Sequence, residues 1–122
     1  MQIETWTDYL TKKGDKYLHF CHSEGAIITR EALERMPRNL SQNIHIVAIG
    51  PAAYIDKNLC GSVRHYVSKR DIVPLIDVVG YIKNKDTITL LEPHPDAKLL
   101  DHSFNSPTYK DLIYKSIQSY SN

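Results

Sequence analysis

Short runs rich in β-branched and aromatic residues alternate along this chain with segments whose apolar residues recur at helical spacing, and that alternation restricts the fold more than any other feature. Tyr17–Cys21, Ile44–Ile49, Val63–Val67 and Thr87–Leu91 read as strands. Ile44–Ile49 is apolar at nearly every position and is closed by Gly50-Pro51, the pattern of a strand buried on both faces. Between and after the strands lie helical segments at 24–36, Val73–Lys83 and Thr108–Ser119. The first carries Ala26, Ile27, Leu33 and Met36 inward, with Arg30, Glu31 and Glu34 outward, and stops at Pro37. A further helical stripe (Ile3, Trp6, Tyr9, Leu10) covers 3–13 and ends at Gly14-Asp15. Four strands alternating with helices predict a three-layer α-β-α domain around a mostly parallel sheet. In such sheets ligands bind beyond the carboxyl ends of the strands. Ser23, Gly50, Asp71 and His102 all follow strand ends, so chain order assigns them to one edge.

The chain has 122 residues, enough for one domain with its own core. Its formal net charge is +1 and its basic residues are scattered, with no footprint for nucleic acid. No apolar run reaches the roughly 20 residues needed to span a bilayer. Met-Gln-Ile-Glu-Thr-Trp does not read as a signal peptide, and two isolated cysteines, Cys21 and Cys60, fit a reducing compartment, so a soluble, cytoplasmic protein is expected.

The chemistry concentrates in Cys21-His22-Ser23-Glu24-Gly25, between the first strand and the first helix. A serine with small residues two positions before and two after, at a strand-to-helix junction, is the pattern of a nucleophile elbow. A serine hydroxyl needs a base to accept its proton, and the base needs a carboxyl group to orient it. Asp71 and His102 follow Ser23 in the order Ser, Asp, His. Each also has a plainer reading. Ser23 could cap the helix, Asp71 could cap the helix starting near Val73, and His102 could pair with Asp101 in a solvated loop. His22 reads as lining the pocket. His19, His45 and His65 read as packed or surface residues within strands. Zinc held by His94, His102 and Cys60 would need a spacing that the sequence lacks, and no metal or cofactor is expected.

Three segments, Tyr17–Ala26, Val63–Pro74 and Leu99–Phe104, resemble the elbow, acid and histidine segments of α/β hydrolases of lipase or esterase type. The resemblance implies a catalytic triad of Ser23, Asp71 and His102. It also implies an oxyanion donor at the Glu24 N–H, with Cys21, His22 and Gly25 shaping the elbow. Cys21 stands where the family usually has glycine. The resemblance extends from about residue 3 onward but corresponds only to the C-terminal half of the family's domain. The half without a counterpart carries the second oxyanion donor. The stretch Ile49–Ile55 is also similar to an uncharacterised chlamydial protein family.

These readings lead to a hydrolase of small-molecule or lipid-like esters or thioesters. The alternative is a non-catalytic module of the same architecture, truncated or a pseudoenzyme, in which His102 would lie beyond reach of Ser23. A flavodoxin-like binding domain would need a glycine-rich phosphate loop after the first strand, where the sequence has none. As the first strand of this half, 17–21 would be an apolar edge. Such an edge would be covered by a second copy, by 3–13, or by a missing N-terminal half. The short connection from Pro51 to Ser62 leaves no room for a lid.

Overall fold

The computed structural model describes residues 16–96, 102 and 107–121. Four strands, β1 (Tyr17–Ser23), β2 (Ile44–Pro51), β3 (Ser62–Ser68) and β4 (Ile88–Leu91), form one sheet in the order β1-β2-β3-β4. Every pairing is parallel. Helix α1 (Gly25–Arg35) and a single turn, α2 (Arg38–Ser41), connect β1 to β2. Helix α3 (Val78–Lys83) lies between β3 and β4, and α4 (Pro107–Ser121) follows β4. The segment 3–13 and Asp101 fall outside the described residues.

Side chains alternate across the sheet as a pleated strand requires. Ile44, Ile46 and Ala48 pack with Ala26, Ala32, Leu33 and Met36 on the α1 face. Val47 and Ile49 pack with Tyr109, Leu112 and Ile113 on the α4 face. Strand β2 is therefore buried on both sides, as its unbroken apolar run implies. A fully buried isoleucine contributes about 1.5–3 kcal/mol through removal of apolar surface from water, and Ile44, Ile46 and Ile49 are all at that limit. Helix α1 buries Ala26, Thr29, Ala32 and Leu33 along one stripe. It ends at Met36, whose extended backbone (ψ 147°) is the conformation that the following Pro37 favours. Three layers result, α1 on one face of a parallel sheet and α4 on the other.

One expectation needs correction. Val73–Lys83 is not a single helix. A 3-10 turn at Val73–Leu75 is followed by α3, and the break falls at Asp77 (φ −95°, ψ 73°). Asp77 Oδ1 accepts the Gly80 N–H at 3.0 Å, capping α3. Its Oδ2 accepts the Tyr54 N–H at 3.0 Å. A capping aspartate that also ties down a neighbouring loop outweighs the helical periodicity of the segment. The interruption leaves Ile72, Leu75, Ile76, Val78, Val79 and Ile82 exposed.

His65, on β3, is fully buried and joins a chain of hydrogen bonds. Its Nε2 accepts the Ile55 N–H at 2.9 Å, so the ring proton resides on Nδ1. Nδ1 donates to Thr87 Oγ1 at 2.9 Å, and the Thr87 hydroxyl donates to the Asn84 carbonyl at 2.9 Å. Burial pushes the His65 pKa down from 6.5 to about 4. The fold holds this ring neutral while the unfolded chain protonates it near its ordinary value. The resulting stability is complete above about pH 6.5, is lost as pH falls towards about 4, and amounts to about 3 kcal/mol. Denaturant unfolding across this range should show that loss, and His65→Gln, which has no proton to gain there, should flatten it. An equal slope in the variant would show that other groups carry the acid sensitivity.

Candidate active site

Ser23 closes β1, and its backbone is left-handed, with φ 55°. Serine rarely adopts this conformation, because its Cβ crowds the following carbonyl. At helix α1 the N-cap is Glu24, without a side-chain cap, so capping by Ser23 is not what this junction uses. The turn is held from the neighbouring strand. Along β1 and β2 the register runs in step to His22 opposite Ile49, and then Ser23 stands opposite Pro51. Gly50 is thus the extra residue of a bulge, with φ 52°. Pro51 has no N–H, and the Ser23 carbonyl accepts instead from Ala52 N–H at 3.0 Å. Ala52 is buried, so this bond is shielded from water.

Asp71 follows β3 in a turn closed by its own N–H to the Ser68 carbonyl at 2.9 Å. The carboxyl group is divided between two tasks. Oδ1 accepts the Val73 N–H at 3.0 Å, and Oδ2 faces His102 Nδ1 at 2.7 Å. Asp71 therefore closes a local turn onto Val73 and engages an imidazole at once, while the N-cap of the following 3-10 turn is Ile72, without a side-chain cap. Its side chain is wholly buried, whereas that of His102 is 28% exposed, leaving the ring open to a ligand on one side.

His102 Nε2 lies 2.9 Å from Ser23 Oγ. A carboxyl group at Nδ1 favours the tautomer with the proton on Nδ1, and Nε2 is then free to accept from the serine hydroxyl. The three groups come from positions 23, 71 and 102 and form one continuous hydrogen-bonded chain. The non-catalytic alternative expected His102 beyond hydrogen-bond reach of Ser23, and the 2.9 Å separation runs against that expectation.

The remaining elbow residues take separate places. Glu24 is exposed, and its backbone N–H lies at the amino end of α1, next to the serine. Cys21 is buried, and burial pushes its thiol up to about 12, so the thiol stays protonated and unreactive. Gly25 is not demanded by sterics. A Cβ there would lie 3.9 Å from the Cys21 Cβ, an ordinary contact. Gly50 is different, because a Cβ there would lie 2.5 Å from Asp71 Oδ2 and 3.1 Å from His102 Nδ1. The bare backbone of Gly50 thus packs against the hydrogen bond between the acid and the imidazole. Its place at the end of β2, on the edge that chain order also assigns to Ser23, Asp71 and His102, is the sequence signal for this role. His22, expected to line the pocket, bonds through Nε2 to the His102 carbonyl at 2.5 Å, 80 positions along the chain, a contact with no sequence signal.

Among the described residues no cluster of three His, Cys, Asp or Glu could hold a metal ion. Cys60 Sγ is bonded to the Ser62 carbonyl at 3.3 Å and His94 Nδ1 to Asp96 N–H at 3.1 Å, away from any shared centre with His102. A groove of about 450 Å³ passes Leu18, His45, Ser62, Tyr66 and Leu112, and none of the three chain members lines it. A smaller cavity of about 220 Å³ borders Asp71 and is walled largely by Tyr54, Val67, Pro74, Leu75 and Leu90. Neither Ser23 nor His102 lines the smaller cavity. Among the described residues no helix is long and apolar enough to cross a membrane. No family model, no curated protein and no solved structure matches the chain.

The two glycines should separate in stability measurements. Gly50→Ala adds a strained left-handed alanine and a clash with Asp71, and should cost about 1–3 kcal/mol. Gly25→Ala should stay within about 0.5 kcal/mol of the parent. Equal unfolding midpoints for Gly50→Ala and the parent would contradict the close packing assigned to Gly50.

Proposed function

We propose that the chain is a serine hydrolase of α/β-hydrolase type, acting on carboxylic esters or thioesters. One observation carries the reading: a serine in a left-handed turn, with its hydroxyl 2.9 Å from an imidazole that a buried carboxyl group engages at 2.7 Å. A structural serine has no need of either the strain or the ordered partners.

In the proposed reaction Ser23 Oγ attacks the substrate carbonyl carbon, and its proton passes to His102 Nε2. Asp71 stabilises the imidazolium that forms and keeps the ring in place. The negative charge on the former carbonyl oxygen falls towards the Glu24 N–H and the positive end of α1. Collapse of the tetrahedral intermediate breaks the bond to the alcohol or thiol, which leaves with the proton from His102, and the acyl group stays on Ser23. Water then attacks the acyl carbonyl, passing a proton to His102. The carboxylic acid leaves as Ser23 regains its proton. The exposed apolar side chains of Ile72 and Leu75, which follow Asp71 in the chain, favour an acyl group that is itself apolar.

Strand β1 is the first strand of the sheet and pairs with β2 along its length. In the proposed enzyme its other edge is where the half that supplies the second oxyanion donor would add, as a covalent or separate partner.

A fluorophosphonate probe should label the folded protein at Ser23, and Ser23→Ala should abolish labelling. Asp71→Asn, which leaves the imidazole without its orienting carboxylate, should lower the labelling rate by about 10⁴-fold. Absence of labelling, or labelling that persists in Ser23→Ala, would exclude the mechanism.

A further inference from the structure

We propose that His22 is a positioning residue that fixes His102 against Ser23 by holding the backbone of His102, an inference that rests on the hydrolase reading of the site. Two side-chain hydrogen bonds locate the His102 ring, one to Asp71 and one to Ser23. Both are made by ring nitrogens, and neither reaches the main chain that carries the ring. His22 holds it. His22 Nε2 lies 2.5 Å from the His102 carbonyl oxygen. A carbonyl oxygen only accepts, so His22 Nε2 carries the hydrogen and is the donor. The two rings also lie against each other in a tilted arrangement, with centroids 4.5 Å apart and planes 33° apart.

The position of His22 makes this grip effective. It is the residue before Ser23, on a strand paired with β2, and stands opposite Ile49, the last partner before the bulge. His22 and Ser23 therefore grasp one residue at two points. The serine meets the imidazole and the histidine meets the main chain behind it. The two contacts constrain the main chain and the ring of His102 separately. Misplacement of a catalytic group by about 1 Å can lower a rate about 100-fold, so a fixed main chain at His102 bears directly on turnover.

Three substitutions test the donor separately from the ring. His22→Phe keeps an aromatic ring but cannot donate. His22→Gln keeps an N–H donor. His22→Glu matches Gln in length and, ionised, has no proton to offer. Each variant is read by saturation kinetics of fluorophosphonate labelling and by the downfield proton resonance of His102 Nδ1–H. His22→Phe should lower the limiting labelling rate by about 100-fold with probe affinity unchanged, and should broaden the resonance through exchange. His22→Gln should restore the rate to within about threefold and the resonance to a sharp line, a rescue on the scale of one recovered hydrogen bond. Should His22→Phe fail to fold, the contrast between Gln and Glu carries the same comparison. Parent-like labelling with a sharp resonance in His22→Phe would overturn the proposal, and so would a Gln variant no better than Phe or Glu. If the parent shows the resonance but is not labelled, the hydrolase reading fails. The grip on His102 is then judged by the resonance alone: kept in Gln and lost in Phe or Glu if the proposal stands.

Discussion

The hydrogen bond between Asp71 and His102 forms where Gly50 has no side chain, and the rest of the site is arranged around that gap. The β2 bulge places Gly50 out of step with β1 and brings bare backbone against the carboxyl group and the imidazole. The same irregularity lets Ala52 rather than Pro51 bond to the Ser23 carbonyl, which holds the serine in its left-handed turn. One skipped residue therefore serves two ends of the hydrogen-bonded chain. It supports Ser23 through the neighbouring backbone and makes room for the imidazole and the carboxyl group beside it.

The fold supplies the distances that this arrangement needs. A parallel sheet brings the carboxyl ends of β1, β2 and β3 to one edge, so residues far apart in sequence leave their strands together. Tyr109, fully buried near the start of α4, accepts the Ser68 N–H at 3.0 Å. That bond fixes the helix following His102 to the strand end preceding Asp71. The chain on both sides of the acid–imidazole pair is thus tied to β3. His65 makes a similar tie on the other face, because the Ile55 N–H that it accepts lies in the same buried stretch, 46–55, as Ala52.

Much of this was legible in the sequence where the signal is local. The β-branched run at Ile44–Ile49 announced a doubly buried strand, and Pro37 announced the end of α1. Ser23, Asp71 and His102 stood out because each follows a strand end in an order that serine chemistry can use. The hydrogen-bonded chain also depends on packing, which no local pattern records. Chain order places Gly50 on the same edge as Ser23, Asp71 and His102, but its packing against the acid and imidazole shows only once the register of β1 against β2 is known. His22 finds its partner in a distant carbonyl group. The segment Val73–Lys83 reads as one helix because its apolar spacing is helical. It breaks because Asp77 gives its carboxyl group to both Gly80 and Tyr54, and the Tyr54 contact comes from elsewhere in the chain.

The central claim is that Ser23 forms a covalent acyl intermediate with His102 as its base. Rapid mixing with an activated ester of an apolar acid, followed by acid quench and mass analysis of peptides, addresses it directly. The account predicts a burst of released alcohol together with an acyl adduct on the peptide containing Ser23, and neither in His102→Ala. Ester turnover with no adduct on Ser23, or an adduct formed equally well without His102, would contradict it.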